Sequence, residues 1–222
     1  MMAVPVGYHV RIYRRENLWL PAGLWALMAL LIILMRGEAK RTFDIADAFL
    51  GFVLPLAAGI LAAAAIVDDS ALELQLAAPR APWRTLLERL GLLLILVATA
   101  ALLYQVFLAL MGVDISPLGN LAARQLAWLT PSLALMGLGS VAALAFAQGT
   151  GGALLAGGMW LLQLLLKDWF AASPWARYLF VFMAARYPDH PDFWANQLCL
   201  MGITVVLVIG SALLLKREER YL

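Results

Sequence analysis

The chain has 222 residues, of which 64% are hydrophobic and 14% are charged, and its mean hydropathy is +0.86. A soluble domain is about half apolar and about a quarter charged, so this composition excludes a soluble globular protein and indicates a polytopic membrane protein. The net charge of +2 is too small to indicate nucleic-acid binding, and the length leaves no room for an additional soluble catalytic domain.

Residues 1–17 predict a short helix that lies on the membrane surface. Its apolar residues recur at helical spacing and its basic residues lie elsewhere around the helix: Val6, Val10 and Tyr13, then Arg11, Arg14 and Arg15. Such a helix places its apolar side in the interface and its basic side on water or anionic headgroups. A plain positive flank that anchors the first span explains these residues equally well. Either interpretation places the N-terminus in the cytosol and expects no cleavable signal peptide.

Six apolar segments are predicted to cross the membrane as helices. They cover residues 18–35, 48–67, 90–111, 125–147, 153–166 and 196–215, and the fifth is short unless residues 149–152 extend it. None of them contains Asp, Glu, Lys, Arg or His, whereas ion-coupled transporters retain such groups inside the membrane. The expected fold is therefore all-α, a single transmembrane domain over residues 1–222 with both termini in the cytosol.

Small residues and prolines predict how the spans pack. Gly59 and Ala63 form a small-xxx-small step in the second span, which permits close contact between helix backbones. Pro55 predicts a kink in the same span, and the mixed-charge residues 36–47 before it are expected to form a loop. The fourth span carries a similar row of small residues, Gly139, Ala143 and Ala147.

Large polar side chains within the predicted spans are expected to form hydrogen bonds between helices rather than to contact substrate. They are Gln105, Gln163 and Gln197. The single Cys199 lies in an apolar run, so neither a disulfide framework nor a Cys-based metal site is expected. The uncharged residues 148–152 predict a helix–helix turn, because they lack the preceding strand that a phosphate-binding loop requires.

Residues 68–89, here called the elbow, are the only long polar stretch between two strongly apolar runs whose ends both face the cytosol in this topology. Ser70 and Glu73 match a capping box, in which each side chain bonds the backbone N–H of the other residue. Asp68 and Asp69 place negative charge at the positive end of the same helix. The elbow therefore begins with a short, well-capped helix.

The remainder of the elbow predicts a turn and a second helix. Leu72 and Leu76 make the first helix largely apolar, and Pro79 ends it because proline has no N–H and disfavours a helical residue before it. Arg80 opens the turn, and Pro82 suits the first position of a helix that continues into the third span. An ordinary loop with one helical turn and no partner is the simpler interpretation of these residues.

Residues 167–195, here called the hairpin segment, are rich in aromatic residues and contain several prolines. Their apolar centre, residues 178–185, is far shorter than the ~20 residues that a spanning helix needs. The segment is therefore expected to form a re-entrant or interfacial hairpin in the outer aromatic belt, just before the last span.

Catalytic and metal-binding patterns are weak in this sequence. The two histidines, His9 and His190, lie on opposite sides of the membrane in this topology. Asp189 and Asp192 flank His190, but a solvated loop is favoured over a metal site for a lone histidine between acids. A surface enzyme in which these residues and Asp168 act on a lipid headgroup would lack an activated nucleophile. No catalytic residue and no metal ligand is therefore predicted.

Taken together, these features resemble the permease subunits of ABC-2-type transporters. The six spans, the N-terminal interfacial helix, the hairpin segment and the charged tail at residues 216–222 match the layout of that family. The sequence SALELQLAAPR, from Ser70 to Arg80, is similar to the family's acidic GT-x-E-x-L-L-x-x-P segment. It departs at Ser70-Ala71, where glycine-threonine is usual, and Leu87-Glu88-Arg89 stands where a lysine is common.

The resemblance implies that residues 68–78 form a coupling helix, which sits in a groove of a separate ABC ATPase subunit. ATP and Mg would be bound by that partner, and this chain would need no cofactor and would not be an enzyme itself. The implied ATPase-coupling residues are Asp68, Asp69, Ser70, Leu72, Glu73, Leu76, Pro79 and Arg80, and a second contact would involve Val10, Arg11, Arg14 and Arg15.

The resemblance also implies an assembly of two permeases, identical or sister subunits, with two ATPases. It would export a lipid, glycan, peptide, drug or haem-related cargo across the bacterial cytoplasmic (inner) membrane, with the hairpin segment lining or capping the outer exit. The alternative is a non-transporting scaffold, an assembly subunit of a larger membrane complex. The rows of small residues would serve helix packing equally well in that case.

Overall fold

The computed structural model describes residues 15–67 and 82–215, and within these ranges every regular element is helical. The α-helices, in chain order, are α1 (Arg15–Leu34), α2 (Ala39–Ala48), α3 (Leu54–Val67), α4 (Pro82–Leu110), α5 (Leu121–Phe146), α6 (Gly149–Leu165), α7 (Lys167–Ala172), α8 (Met183–Arg186) and α9 (Phe193–Leu214). A π-helical turn, Phe49–Val53, joins α2 to α3, and short 3-10 helices occupy Ser116–Leu118 and Ala176–Leu179. The all-α prediction is confirmed for this part of the chain.

Four helical stretches among the described residues are long and apolar enough to cross a membrane. They are Ala39–Ala65, which combines α2, the π-helical turn and most of α3, then Trp83–Leu110, Leu121–Phe146 and Phe193–Leu214. Two further apolar helices, Trp19–Leu34 and Gly149–Leu165, are shorter. At 1.5 Å per residue they span about 25 Å, against a hydrocarbon core of about 30 Å. The six predicted spans thus correspond to four candidate spans and two shorter apolar helices.

The predicted loop at residues 36–47 is wrong over most of its length, because α2 begins at Ala39. Its charged residues Lys40, Arg41 and Asp44 are exposed, whereas Thr42 and Asp47 are buried. Mixed charge therefore marks one face of an amphipathic helix here and not a loop. The helix carries Asp47 into the first candidate span, Ala39–Ala65, which therefore contains ionisable residues, unlike the predicted span at residues 48–67.

The irregularity that Pro55 predicts takes the form of the π-helical turn immediately before it. Proline donates no hydrogen bond, and its ring crowds the carbonyl group four residues earlier. The Leu54 N–H bonds to the Phe49 carbonyl oxygen, five residues back, which widens this turn. The extra residue accommodates the proline without ending the helix, as π-helical turns do elsewhere.

Glycines bring α3, α5 and α6 into backbone contact. A Cβ atom on Gly139 would overlap the carbonyl oxygen of Gly59, and one on Gly152 would lie 2.6 Å from the carbonyl oxygen of Gly139. The packing role predicted for Gly59, Ala63, Gly139 and Ala143 is confirmed, because Ala63 and Ala143 lie against the same glycines. Ala147 is an exception: it follows the end of α5 in a left-handed conformation (φ 54°) and is exposed.

Side-chain amides and hydroxyl groups also join the long helices. Gln105 of α4 and Gln125 of α5 bond each other through both amides, at 2.9 and 3.3 Å. The hydroxyl groups of Ser140 in α5 and Ser211 in α9 lie 3.3 Å apart and are buried. The interhelical role predicted for Gln105 is therefore confirmed.

Candidate functional site

Most of the predicted coupling residues lie outside the described residues. These are Asp68, Asp69, Ser70, Leu72, Glu73, Leu76, Pro79 and Arg80, and the same holds for Val10, Arg11 and Arg14. Arg15 is the first residue of α1. The structure does describe both ends of the elbow, because α3 ends at Val67 and α4 begins at Pro82.

The second helix of the elbow continues without a break into the apolar α4, as the sequence predicts. Trp83 and Arg84 at its start are exposed, with the Arg84 guanidinium 5.4 Å from the centre of the Trp83 ring. Leu86 is 1% exposed and belongs to the main buried cluster, together with Leu61 of α3. The helix is therefore buried on one face from its second turn onward.

Arg89 connects the two helices that the elbow joins. Its guanidinium Nη1 donates a hydrogen bond to the carbonyl oxygen of Ala65, and the residue is only 4% exposed. Ala65 lies in the last turn of α3, whose terminal carbonyl groups have no partners within the helix. A cation is favourable at this position because it faces the negative end of the helix dipole. The contact holds the end of α3 against α4.

The role of Arg89 is one that sequence reasoning missed, since the residue was noted only in Leu87-Glu88-Arg89, where the chain departs from the pattern of the similar family. Its partner is a backbone carbonyl, which leaves no trace in the sequence. Its position was a usable signal, because Leu86, Arg89, Leu90 and Leu93 follow helical spacing and all four are buried.

The hairpin segment is the second candidate region. It folds into the helix bundle instead of lying over it. Phe180 and Phe182 are almost fully buried, and Phe170 stacks on Phe180 with ring centres 5.8 Å apart. Phe182 also stacks on Phe52 of the π-helical turn, at 4.6 Å. The segment therefore has a buried aromatic centre, while its re-entrant or interfacial position relative to the bilayer stays a prediction.

Two side-chain amides hold the backbone of residues 177–181 in the hairpin segment. The Gln163 Oε1 accepts a hydrogen bond from the Val181 backbone N–H at 2.8 Å, and its Nε2 donates to the Leu179 carbonyl oxygen at 3.2 Å. Asn196 donates to the carbonyl oxygens of Arg177 and Phe180, at 2.7 and 3.0 Å. Backbone groups away from water need such partners, since unpaired ones are costly.

These contacts test the hydrogen bonds between helices that were predicted for Gln163 and Gln197. The hydrogen-bonding role of Gln163 is confirmed, but its partners are in the hairpin segment and not in a neighbouring span. Gln197 donates to Asn196, the preceding residue in α9, at 3.0 Å, so the interhelical bond predicted for Gln197 is not confirmed. Sequence spacing identifies such residues as hydrogen-bonding groups but cannot name a backbone partner.

The acidic loop around His190 is tied to the same segment. Asp192 forms a salt bridge with Arg177 at 2.9 Å, and its backbone N–H donates to the His190 Nδ1 at 3.1 Å. Asp189 is exposed, whereas His190 and Asp192 are partly buried. Among the residues that the structure describes, no group of three or more His, Cys, Asp or Glu side chains is placed to hold a metal ion.

Asp47 is a buried carboxylate that the sequence analysis placed in a loop. It is 7% exposed, and its Oδ1 has no hydrogen-bond partner. Its neighbourhood includes Gly51 and Ala185, and Arg186 interacts with it electrostatically. The Arg186 guanidinium lies 4.8 Å from the centre of the Phe52 ring. An ionisable group at this depth is a functional candidate in any membrane protein.

Comparison of the chain with protein-family models, with characterised proteins and with solved structures finds no match.

Proposed function

We propose that this chain is the transmembrane permease subunit of an ATP-driven exporter of the ABC-2 type. A separate ATPase subunit docks on the elbow, and its ATP hydrolysis drives movement of a lipid, glycan, peptide, drug or haem-related substrate. The chain works beside a second copy or a sister permease in the bacterial cytoplasmic (inner) membrane, with six spans and both termini in the cytosol. The observation that carries this proposal is the hydrogen bond between Arg89 and Ala65.

That bond gives the elbow a mechanical connection to the membrane helices. Because Arg89 holds the end of α3 against α4, a partner that displaces the elbow moves both helix ends together. The glycine contacts then join α3 to α5 and α6 with no flexible side chains between the backbones. Closely packed elements move as rigid bodies, which is how displacement at one end of a bundle reaches the other.

The assignment of the driving force to a partner does not rest on an absence of ionisable groups from the spans. Asp47 and Arg89 are ionisable and buried, so ionisable groups are present in candidate spans. Arg89, however, bonds a helix terminus, and among the charged residues that act on Asp47 the cation Arg186 has a larger effect than the carboxylate Asp44. This arrangement supports a structural role for both groups better than a proton relay.

The test is a pull-down of the intact chain from its native membranes in mild detergent, followed by mass spectrometry and an ATPase assay. We expect a soluble ATPase at near-equal stoichiometry, and we expect its recovery to fall in Glu73→Ala and Leu76→Asp variants. The matched pair Arg89→Ala and Arg84→Ala then separates docking from coupling. Arg89→Ala retains the ATPase but loses transport, while the exposed Arg84 is dispensable. If only other membrane proteins are recovered, the chain is a scaffold and not a pump.

A further inference from the structure

A cavity of about 500 Å³ lies between α5, α6, α9 and the hairpin segment. Its deepest walls include Leu135 of α5 and Leu200 of α9, which are 1% and 2% exposed. Ligand sites in proteins commonly enclose about 300–1,000 Å³, so this volume lies well within their range.

The walls of the cavity are aliphatic or aromatic with one exception, the Gln163 side chain. Both atoms of that amide group are already used, since they bond Val181 and Leu179. The Gln163 amide is thus engaged with the backbone, and the rest of the cavity wall offers an occupant only hydrocarbon and aromatic surface. Water does not settle in such a space, because it needs several polar partners there.

The rim of the cavity has a different chemistry. Trp169 and Trp175 are 50% and 62% exposed and meet edge to face, with ring centres 5.6 Å apart. Tryptophan is enriched where the hydrocarbon meets the lipid headgroups. Lys167 and Asp168 precede Trp169 in the chain and are partly buried and exposed, respectively. The rim thus presents an interfacial aromatic pair.

We propose that this cavity binds one acyl chain of a membrane phospholipid, with its headgroup at the rim beside Trp169 and Trp175. Two of the walls belong to α5 and α9, which are long enough to cross the membrane, so the cavity faces hydrocarbon. The inference goes beyond the proposed function, since it holds for a pump and for a scaffold alike.

The size of the cavity argues against a second copy of the chain as its occupant. One turn of a helix with its side chains is about 10 Å across and about 5.4 Å long, so it takes on the order of 400 Å³. A cavity of about 500 Å³ has room for little more than one such turn. A flexible, unbranched chain fills the same volume without a polar backbone.

The test uses the intact, purified chain in nanodiscs of phosphatidylcholine that contain a phosphatidylethanolamine probe with a photoreactive diazirine in its acyl chain. We expect cross-links to concentrate on the cavity wall, at Leu135, Leu200 and Ile203. The variant Met159→Trp fills the cavity from α6, and the control Leu161→Trp lies on the same helix but outside the cavity. Cavity cross-linking should fall about tenfold in the first and stay unchanged in the second, since overfilling opposes binding.

Three results would overturn the proposal. Cross-links spread evenly over the exposed faces of α4 and α9 would mean ordinary contact with bulk lipid. Equal labelling of the two variants would mean that the cavity is not the site, and cross-links from the cavity wall to a second protein chain would identify a copy as the occupant. If Met159→Trp does not fold, Ile203→Trp fills the cavity from α9 and takes its place.

Discussion

The elbow and the hairpin segment are anchored by different chemistry. At the elbow, a charged guanidinium from Arg89 bonds a single carbonyl group at the end of a helix. At the hairpin segment, two neutral amides, Gln163 and Asn196, bond backbone groups of a short 3-10 helix and of the two residues that follow it. A charge suits a helix terminus because the helix dipole favours it, whereas amides suit irregular backbone because they donate and accept together.

The difference matters for what each region can do. Neutral amide bonds in an apolar environment fix the hairpin segment without creating a buried charge. The charged bond at the elbow lies near a helix end, and a partner that binds there meets two helices already held together. The hairpin segment is therefore expected to stay fixed in the helix bundle. Displacement of the elbow is expected to move the ends of α3 and α4 together.

The largest expected effect comes from breaking the amide anchor. Gln163→Leu leaves the Val181 N–H and the Leu179 carbonyl oxygen without partners, and each buried unsatisfied group costs about 1–3 kcal/mol. We expect the free energy of unfolding to fall by about 2–6 kcal/mol. Denaturant unfolding in detergent micelles, with protease cleavage near residues 178–182 as a second readout, measures it.

Gln105→Leu is the matched control for that variant, since Gln105 bonds a side chain, Gln125, and no irregular backbone. We expect it to cost about 1 kcal/mol, and to leave the protease sensitivity of the hairpin segment unchanged. Equal losses in the two variants would show that Gln163 has no special role in anchoring the segment.

The next effect tests the charged anchor. Arg89→Ala removes the bond to Ala65, and hydrogen bonds to charged groups contribute about 1.5–3 kcal/mol. We expect the unfolding free energy to fall by a similar amount, with faster hydrogen exchange at the end of α3. Arg84→Ala should change neither quantity, because Arg84 is exposed. Normal exchange in the last turn of α3 would contradict the assigned role.

A third variant asks whether Asp47 belongs with the structural groups. Asp47→Asn removes a buried charge whose Oδ1 has no partner, so the unfolding free energy should rise or stay within about 1 kcal/mol of the wild type. Transport should be unaffected if ATP supplies the driving force. Loss of transport in a stably folded Asp47→Asn protein would instead indicate ion coupling.

The sequence predicted those parts of the fold that depend on local pattern. Gly59 and Gly139 could be recognised as packing positions because small residues recur at helical spacing around them, and Pro82 was recognised as a helix start. Asp47 could not be placed, because its surroundings include Ala185 and its electrostatic partner Arg186, which come from a distant part of the chain. The helical spacing of the buried residues in α2 was overlooked, because residues 36–47 were judged by their mixed charge alone.

The candidate site was harder to predict than the fold for a single physical reason. Arg89, Gln163 and Asn196 all bond backbone groups, and a backbone group has the same chemistry at every position in the chain. Spacing can show that a polar side chain must find a partner in an apolar environment. It cannot show which carbonyl or N–H group the fold brings to it.

The smallest expected effect comes from an exposed polar contact, which sharpens the contrast with the buried ones. Between α4 and α5, the Asp114 carboxylate accepts hydrogen bonds from the Ser116 backbone N–H at 2.8 Å and from its hydroxyl group at 2.9 Å. Both bonds, the backbone one first, lower the pKa of Asp114 below its ordinary value of 3.8. The stabilisation is therefore present above pH 3.8 and is lost as the pH falls through the lowered pKa.

Ser116→Ala removes the hydroxyl bond and keeps the backbone one, so the pKa of Asp114 should rise only part of the way to its ordinary value. A carboxyl carbon NMR titration measures this rise. Arg124→Gln should raise the pKa less, because Arg124 acts on Asp114 more weakly than either bond. Since the carboxylate is exposed, water replaces the lost hydroxyl group, and neither variant should change the stability at neutral pH measurably. A clear loss of stability there would mean that exposed and buried anchors contribute alike.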